Sequence, residues 1–462
     1  MSALIGRPIG LSMSGRVMLD PLPNSSCVIY GATGAAKTTS AVMPSIQGMF
    51  AETDLAQIIN DVKDGEIFEQ IAPVCRKYGR KFGGLDDFQV FGADCPYSYS
   101  LNPFGAIVAT AKQSPADLLF AIEGAAHALI PEPPNDTKNQ YFRDTPREEL
   151  DCGIRILLDR TPNSVTPGAL YALMADPDMW RVARDIAAEE GEDALQSRAA
   201  QSLDMQNNDP EQYFKHLRAA LTALRIYEPG SALHLSGADQ SLTHAQIINE
   251  GWIFCLVQPQ RHAGLVGAHY ALHLQSFQHA QMSEGSGRAL YILDELCNAP
   301  LKSAVKAVTI IRSYGGRCLY IAQSRKDIEA KYGVRETAVL EDNCPVKIWL
   351  SFTSFEEAER VSRAMGETRT VMQSIGVNSD KLEYSGTFNT GMERVMTADD
   401  LMKLDPSLQV IHIKGGPFII CRKLYQNQIE PTCFDLGENR HEGGRLPPDP
   451  KAEFAVPSRR TS

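Results

Sequence analysis

Short apolar runs alternate with helical patterns along the first hundred residues of the chain. β-rich runs occupy residues 26–31 (SCVIYG), 56–61 (AQIIND) and 88–93 (FQVFGA), and helical patterns occupy residues 37–49 and 66–79. In the second helical pattern, apolar residues recur at spacings of three and four, which places them on one face of a helix. This βαβαβ order predicts a parallel sheet with helices on its faces.

A series of helical patterns then interrupts this alternation. From about residue 105 the β-branched runs disappear, and several helical stretches begin with Ser, Thr or Asp followed by Pro or Glu, which are helix start signals. Strand patterns resume further along, at residues 251–258, 289–295, 317–323, 346–352, 409–415 and 417–425. The order predicts an all-α domain inserted into an α/β domain.

The changes in pattern predict four segments. Residues 1–104 and 239–436 form the two parts of the α/β domain, and residues 105–238 form the all-α insertion. Residues 437–462 are polar and contain several prolines, so we expect them to form a disordered tail.

The composition is that of a globular chain. Of the 462 residues, 43% are hydrophobic and 22% are charged, and no apolar run is long enough to predict a transmembrane helix. The ten cysteines are scattered without a C-x-x-C pair or a Cys/His cluster at zinc spacing, which predicts reduced thiols in a cytosolic protein. The net charge of −11 argues against a surface coated for nucleic-acid binding, but it leaves room for a basic channel or loop.

The segment GATGAAKTT (31–39) is close to the P-loop pattern G-x-x-x-x-G-K-[ST], with Ala36 in place of the second glycine. In a P-loop, backbone N–H groups surround phosphate oxygens, the lysine reaches the β- and γ-phosphates, and the hydroxyl binds Mg²⁺. The alternative is a strand–turn–helix with an incidental lysine. The predicted nucleotide-binding residues are Gly31, Ala32, Thr33, Gly34, Ala35, Ala36, Lys37, Thr38 and Thr39, with Thr38 as a metal ligand.

The segment ALYILDEL (289–296) has the Walker B pattern of a buried strand followed by two acids. Asp294 is expected to hold the Mg²⁺ shell, and Glu295 to polarise the attacking water. The alternative is an ordinary strand whose end meets solvent. Together with Lys37 on another strand of the same sheet, these acids predict an ATPase that uses ATP and Mg²⁺.

A third strand, in RCLYIAQS (317–324), ends at Gln323. Its amide could lie beside the γ-phosphate and sense the nucleotide state. Arg312 and Arg317 flank a Gly-Gly turn just before it, and Arg312 is the candidate for an arginine finger that acts across a subunit boundary. The alternative for both is an exposed loop arginine.

Several separated segments resemble the TraG/TraD-type coupling proteins of conjugation and type IV secretion. The segments are GATGAAKT (31–38), SLNPF (100–104), LYILDELCNAP (290–300), RSYGGRCLYIAQSRKDIEAKYG (312–333) and EDNCPVKIWLSFTSFEEAERVSRAMGETRT (341–370). Residues 61–82 are also similar to the family's Asp-Pro-Lys-Gly-Glu segment, with Val62 for the proline and Asp64 inserted. The resemblance covers residues from about 25 to 425.

The resemblance implies a RecA-like P-loop NTPase domain interrupted by an all-α domain. Six subunits of such a protein form a ring at the cytoplasmic face of the inner membrane, and ATP hydrolysis is linked to delivery of DNA, relaxase–DNA complexes or proteins into a secretion channel. By residue match, phosphates would contact Gly31, Gly34, Lys37 and Thr38. The remaining roles would fall to Asp294 (metal), Glu295 (water), Gln323 (sensor) and Arg312 (finger).

Two departures from the family pattern leave alternatives open. Members usually carry transmembrane helices before the motor, whereas this sequence starts shortly before Gly31, so the anchor could be removed, absent or on a separate chain. Ala36 predicts slower hydrolysis. One alternative function is a platform that recruits protein substrates and hydrolyses ATP weakly, and another is a DNA-pumping hexamer of the FtsK/HerA kind.

Overall fold

The structure, a computed structural model, describes residues 3–22, 24–133, 138–283, 285–298, 310–378, 383–441 and 444–457. The strands are β1 (Pro8–Leu11), β2 (Val17–Leu19), β3 (Cys27–Tyr30), β4 (Leu55–Asp61), β5 (Phe82–Leu85), β6 (Ile253–Val257), β7 (Arg288–Leu293), β8 (Gly316–Ala322), β9 (Val346–Trp349), β10 (Glu367–Asn378), β11 (Glu383–Arg394), β12 (Leu408–Ile413), β13 (Phe418–Arg422), β14 (Ile429–Glu430) and β15 (Ala452–Glu453). The helices are α1 (Met43–Gly48), α2 (Glu66–Tyr78), α3 (Gly105–Gln113), α4 (Leu118–Leu129), α5 (Tyr141–Arg160), α6 (Pro167–Ala175), α7 (Pro177–Glu190), α8 (Asp193–Asn208), α9 (Pro210–Leu224), α10 (His244–Asn249), α11 (Ala263–Gln281), α12 (Arg325–Tyr332), α13 (Val334–Asn343), α14 (Phe355–Met365) and α15 (Ala398–Met402).

One sheet runs through the described residues in the order β2-β1-β13-β12-β9-β3-β8-β7-β4-β6-β5. The seven strands from β9 to β5 are parallel, and the other four continue the sheet in antiparallel fashion. Because parallel strands end at the same edge, the segments that follow β3, β8, β7 and β4 lie side by side.

Both faces of this sheet are buried. Val28 and Tyr30 of β3 join the core that includes α11 and the helical region, which is formed by helices α3 to α9, whereas Cys27 and Ile29 join the core that includes α1 and α2. Side chains of a strand alternate between faces, so four apolar residues in a row are what a sheet covered on both sides requires.

Helices α3 to α9 follow one another without an intervening strand among the described residues. The first of them packs against α11: the Ala106 N–H donates to Ser276 Oγ at 3.0 Å, and Thr110 Oγ1 lies 2.8 Å from His279 Nε2. The boundaries of an inserted domain at residues 105–238 stay a prediction.

The predicted third strand at residues 88–93 is wrong. The strand is β5, at residues 82–85, and residues 88–93 form turns. A Cβ on Gly83 would lie 2.5 Å from the ring of Tyr99, so this glycine is needed where the ring packs on the backbone. Gly83 and Gly84 lower the β-propensity of this segment, but its tertiary contacts outweigh that low propensity and make it a strand.

The predicted disorder of residues 437–462 is also wrong for the part that the structure describes. Strand β15 pairs in parallel with β14, the Phe454 N–H donates to Glu430 O at 2.8 Å, and the Phe454 ring is buried. Asn439 donates to Glu66 Oε1 at 2.8 Å. The segment is polar, but Phe454 and its backbone bonds fix it to the body of the protein.

Candidate nucleotide-binding site

The loop between β3 and α1 closes on itself and on the neighbouring strands. The Gly31 N–H donates to Ala322 O at 3.1 Å, and the Ala32 N–H donates to Ser351 Oγ at 3.1 Å. Gly34 has a φ of 80°. The helix predicted at residues 37–49 begins as one π-helical turn (Thr38–Val42) and continues as α1. The loop is thus a strand–loop–helix unit of the P-loop kind.

Lys37 folds back over this loop. Its Nζ donates to Gly31 O at 3.0 Å and lies 3.1 Å from Glu295 Oε1. The lysine side chain is only 6% exposed. The structure therefore places the predicted phosphate-binding lysine directly beside the predicted water-polarising glutamate.

The two acids after β7 differ in environment. Asp294 is buried, and burial raises its pKa to about 6, with Glu295 adding to the increase and Lys63 and Lys37 opposing it. Glu295 has a φ of 48°, a left-handed conformation that is uncommon for this residue type. This backbone turn directs the Glu295 carboxylate towards Lys37.

Gln323 follows β8, which lies between β3 and β7. Its Nε2 donates to Glu295 Oε2 at 3.4 Å. The three predicted strand ends are therefore in contact: Lys37, Glu295 and Gln323 form one continuous group of side chains.

Arg312 lies elsewhere. It is exposed and lies in a short 3₁₀ turn before the N-terminal end of β8, whereas Gln323 follows the C-terminal end of that strand. The seven residues of β8 separate the two ends by roughly 20 Å. Arg312 is therefore too far away to act in the site of its own chain; its role as a finger in a neighbouring copy stays a prediction, with an exposed loop arginine as the alternative.

Lys63 and Lys423 approach the loop although their position was not predicted. Lys63 Nζ donates to Thr38 Oγ1 at 3.2 Å, and Lys423 Nζ donates to Ala35 O at 3.1 Å. Burial opposes the charge of Lys63, but Glu66, Asp294 and Glu295 outweigh it and raise its pKa. The one available signal was the position of Lys63 just after β4, which is paired with β7.

Ala36 adopts a φ of 65°. A Cβ is disfavoured in this region, so we expect Ala36→Gly to raise the free energy of unfolding by about 1 kcal/mol. Urea unfolding measures this effect. Ala35→Gly is the matched control, since it only adds backbone freedom and should lower stability. Equal effects of the two changes would contradict the prediction.

Asp61, at the end of β4, accepts hydrogen bonds from the N–H groups of Ile67 and Phe68, at 2.9 and 2.8 Å. Burial raises its pKa from 3.8 to about 7. Between these pH values the folded chain holds a proton that the unfolded chain has released, so stability falls as the pH rises. A difference of one in pKa corresponds to about 1.4 kcal/mol. The release of this proton from Asp61 in the unfolded chain therefore lowers the free energy of unfolding by a few kcal/mol between about pH 4 and pH 7.

We therefore expect Asp61→Asn, which keeps an acceptor oxygen, to flatten the decrease in stability between about pH 4 and pH 7. Urea unfolding at several pH values measures the slope. Asp342→Asn, at an exposed position of α13, is the control and should leave the slope unchanged. An Asp61→Asn slope equal to that of the unaltered chain would contradict the prediction.

Comparisons with known proteins agree with this geometry. A family model described as the TraM recognition site of TraD and TraG matches residues 288–406. Protein VirD4 of Rhizobium rhizogenes is 22% identical over 173 residues, covering 34% of this chain and 26% of that protein. The match thus spans about a quarter of this curated relative.

Two solved structures are similar over most of the chain. The conjugative coupling protein TrwBΔN70, in its unbound monoclinic form, is 17% identical, with a TM-score of 0.66 over 92% of this chain and 91% of that chain. TrwB in complex with ADP and Mg²⁺ is 16% identical, with a TM-score of 0.64 over 90% of this chain and 88% of that chain. This likeness confirms the predicted fold, an α/β domain of the RecA-like type interrupted by helices.

Among the described residues, no helix is both long and apolar enough to cross a bilayer. The family model and the curated relative indicate the same family, and the solved structures share the fold. They confirm that this chain resembles the TraG/TraD-type coupling proteins of type IV secretion.

Proposed function

We propose that this chain is an ATPase coupling protein that recruits DNA or protein–DNA substrates and helps to translocate them to a type IV secretion or conjugation channel. The observation that carries the proposal is the 3.1 Å contact between Lys37 and Glu295, with Asp294 next in the chain. A cation for phosphate, a carboxylate for water and a second carboxylate for a metal are the groups that phosphoryl transfer to water requires.

The residues at the site fit ATP and Mg²⁺. The Thr38 hydroxyl and the Asp294 carboxylate supply oxygen donors, which Mg²⁺ prefers, and Mg²⁺ would neutralise charge on the phosphates. The loop from Gly31 to Thr39 supplies N–H groups, and Lys37 exchanges its contacts with loop carbonyls for phosphate oxygens. The complex of the similar protein TrwB with ADP and Mg²⁺ supports this assignment.

The remaining roles follow from position. Glu295 orients and polarises the attacking water, and Gln323, in contact with Glu295, relays the state of the γ-phosphate. Because Arg312 lies at the opposite end of β8 from Gln323, we assign it to the site of a neighbouring copy, where it would stabilise transition-state charge. This arrangement calls for a ring of subunits, which we propose to be a hexamer.

The partners are DNA or relaxase–DNA complexes, secreted proteins and components of the secretion channel. The match of residues 288–406 to the TraM recognition site of TraD and TraG supports a protein partner in the relaxosome. We place the protein at the cytoplasmic face of the inner membrane, where a channel receives its substrate.

ATP hydrolysis by the full chain, with and without single-stranded DNA, tests the proposal. We expect DNA to stimulate turnover and Lys37→Ala to abolish it, while Lys326→Ala, an exposed lysine paired with Glu356, leaves it unchanged. ATP binding without hydrolysis would overturn the proposal that the chain is an ATP-driven motor. That outcome would favour the recruiting platform, to which the net charge of −11 is also suited.

A further inference from the structure

A second group of ligand-type side chains lies apart from the nucleotide site. Asp87, His269 and His273 each offer one ligand atom, and these atoms lie within 4.8 Å of one another. The histidines are four residues apart on α11 and share a face of the helix. Asp87 follows β5, which is three strand spacings from β7, or roughly 14 Å.

The outward-facing ring nitrogen of each histidine is already engaged. His269 Nδ1 lies 3.1 Å from the Tyr227 hydroxyl, and His273 Nδ1 lies 3.2 Å from His244 Nε2. Metal-binding histidines almost always bond a second group through the nitrogen that does not contact the metal. These contacts orient both rings and leave the Nε2 atom of each histidine available as a ligand.

The Nε2 atoms of His269 and His273 have few partners within the described part of the protein. His269 Nε2 lies 2.9 Å from Asp87 Oδ2, and His273 Nε2 has no hydrogen-bond partner among the described residues, although its ring is 0% exposed. A buried polar nitrogen without a partner is costly. A ligand that accepts its lone pair would remove that cost.

The cluster is also accessible to a cation. The Asp87 carboxylate accepts a hydrogen bond from Ser236 at 3.0 Å and remains 12% exposed, so the cluster is open to solvent on one side.

We propose that Asp87, His269 and His273 form a binding site for a divalent transition metal ion, with Zn²⁺ as the best fit. Two imidazole nitrogens and one carboxylate oxygen match the three-ligand zinc sites, in which water takes the fourth position. Tyr227 and Ser236 come after α9 in the chain, whereas Asp87 follows strand β5 and α11 covers the sheet. The metal ion stabilises the junction between these parts.

The test uses the full chain, treated with a chelator, free of nucleotide and titrated with Co²⁺ and then Zn²⁺. We expect one Co²⁺ per chain, visible d–d absorption without a thiolate charge-transfer band, and displacement by Zn²⁺. Asp87→Asn and His273→Gln should each weaken binding by more than about 100-fold. His279→Gln, on the same helix but bonded to Thr110, should leave binding unchanged.

The proposal is overturned if the unaltered chain binds no Co²⁺ or Zn²⁺, since that measurement does not depend on how a variant folds. It is also overturned if binding shows a thiolate band, or if it persists in both Asp87→Asn and His273→Gln. Thermal unfolding gives a second readout: Zn²⁺ should raise the Tm of the unaltered chain and not that of Asp87→Asn.

Discussion

Replacement of Glu295 by glutamine is expected to reduce ATP hydrolysis by at least about 100-fold while ATP still binds. An amide cannot accept a proton from the attacking water as a carboxylate does. The change also removes the charge that now holds Lys37 at 3.1 Å, so this lysine stays available for phosphate. We therefore expect the Kd for ATP to be unchanged or lower.

Steady-state hydrolysis and equilibrium binding of a fluorescent ATP analogue measure the two effects separately. Glu336→Gln, at an exposed position of α13, removes an equal charge away from the site and should alter neither. If Glu295→Gln hydrolysed ATP at the unaltered rate, another group would have to polarise the water. If it lost binding as well, Glu295 would be part of the phosphate site rather than of the hydrolytic step.

The three strand ends of this site could be predicted because each is encoded locally. A β-rich run followed by GATGAAKT, a second followed by Asp294 and Glu295, and a third ending at Gln323 all carry their chemistry within a few residues of a strand. In a parallel sheet such ends converge whatever the rest of the chain does. The contacts among Lys37, Glu295 and Gln323 follow from that rule.

The features that could not be predicted depend on residues far apart in the sequence. Lys423 reaches the Ala35 carbonyl across 388 positions, because β13 belongs to the antiparallel part of the same sheet. The antiparallel pairing of β10 with β11 and the parallel pairing of β14 with β15 were also not predicted from the sequence. Long-range pairing sets these elements, and short-range propensity carries little information about it.

Ala36 shows how a correct motif can hide a conformational problem. In the sequence it differs from glycine by one methyl group, and only the φ of 65° shows that the backbone conformation itself favours glycine. Slow turnover because of Ala36 stays a prediction. Its physical basis is now the strained conformation of the loop rather than the volume of the methyl group.

The largest stability effect is expected in the helical region, at Arg184. This side chain is 1% exposed, lies 4.9 Å from the ring centres of Trp180 and Tyr213, and donates to Ser202 Oγ at 2.8 Å. Ser202 in turn donates to the buried carboxylate of Glu149 at 2.7 Å. Arg184 thus supplies the positive charge next to a buried acid.

Arg184→Met removes that charge and leaves Glu149 only its hydrogen bonds from Ser202 and Tyr213, which we expect to cost about 3–5 kcal/mol of unfolding free energy. Hydrogen exchange of helices α7 to α9 and urea unfolding measure the loss. Arg181→Met, on the same helix but 64% exposed, should stay within about 0.5 kcal/mol of the unaltered chain.

A double-mutant cycle identifies the cause of that loss. If the uncompensated carboxylate dominates, adding Glu149→Gln to Arg184→Met should recover part of the stability, because the neutral amide is cheaper to bury. Additive effects would instead assign the loss to the ring contacts with Trp180 and Tyr213. A cost below about 1 kcal/mol for Arg184→Met alone would show that the Arg184 charge, linked to Glu149 through Ser202, contributes no more than a surface contact does.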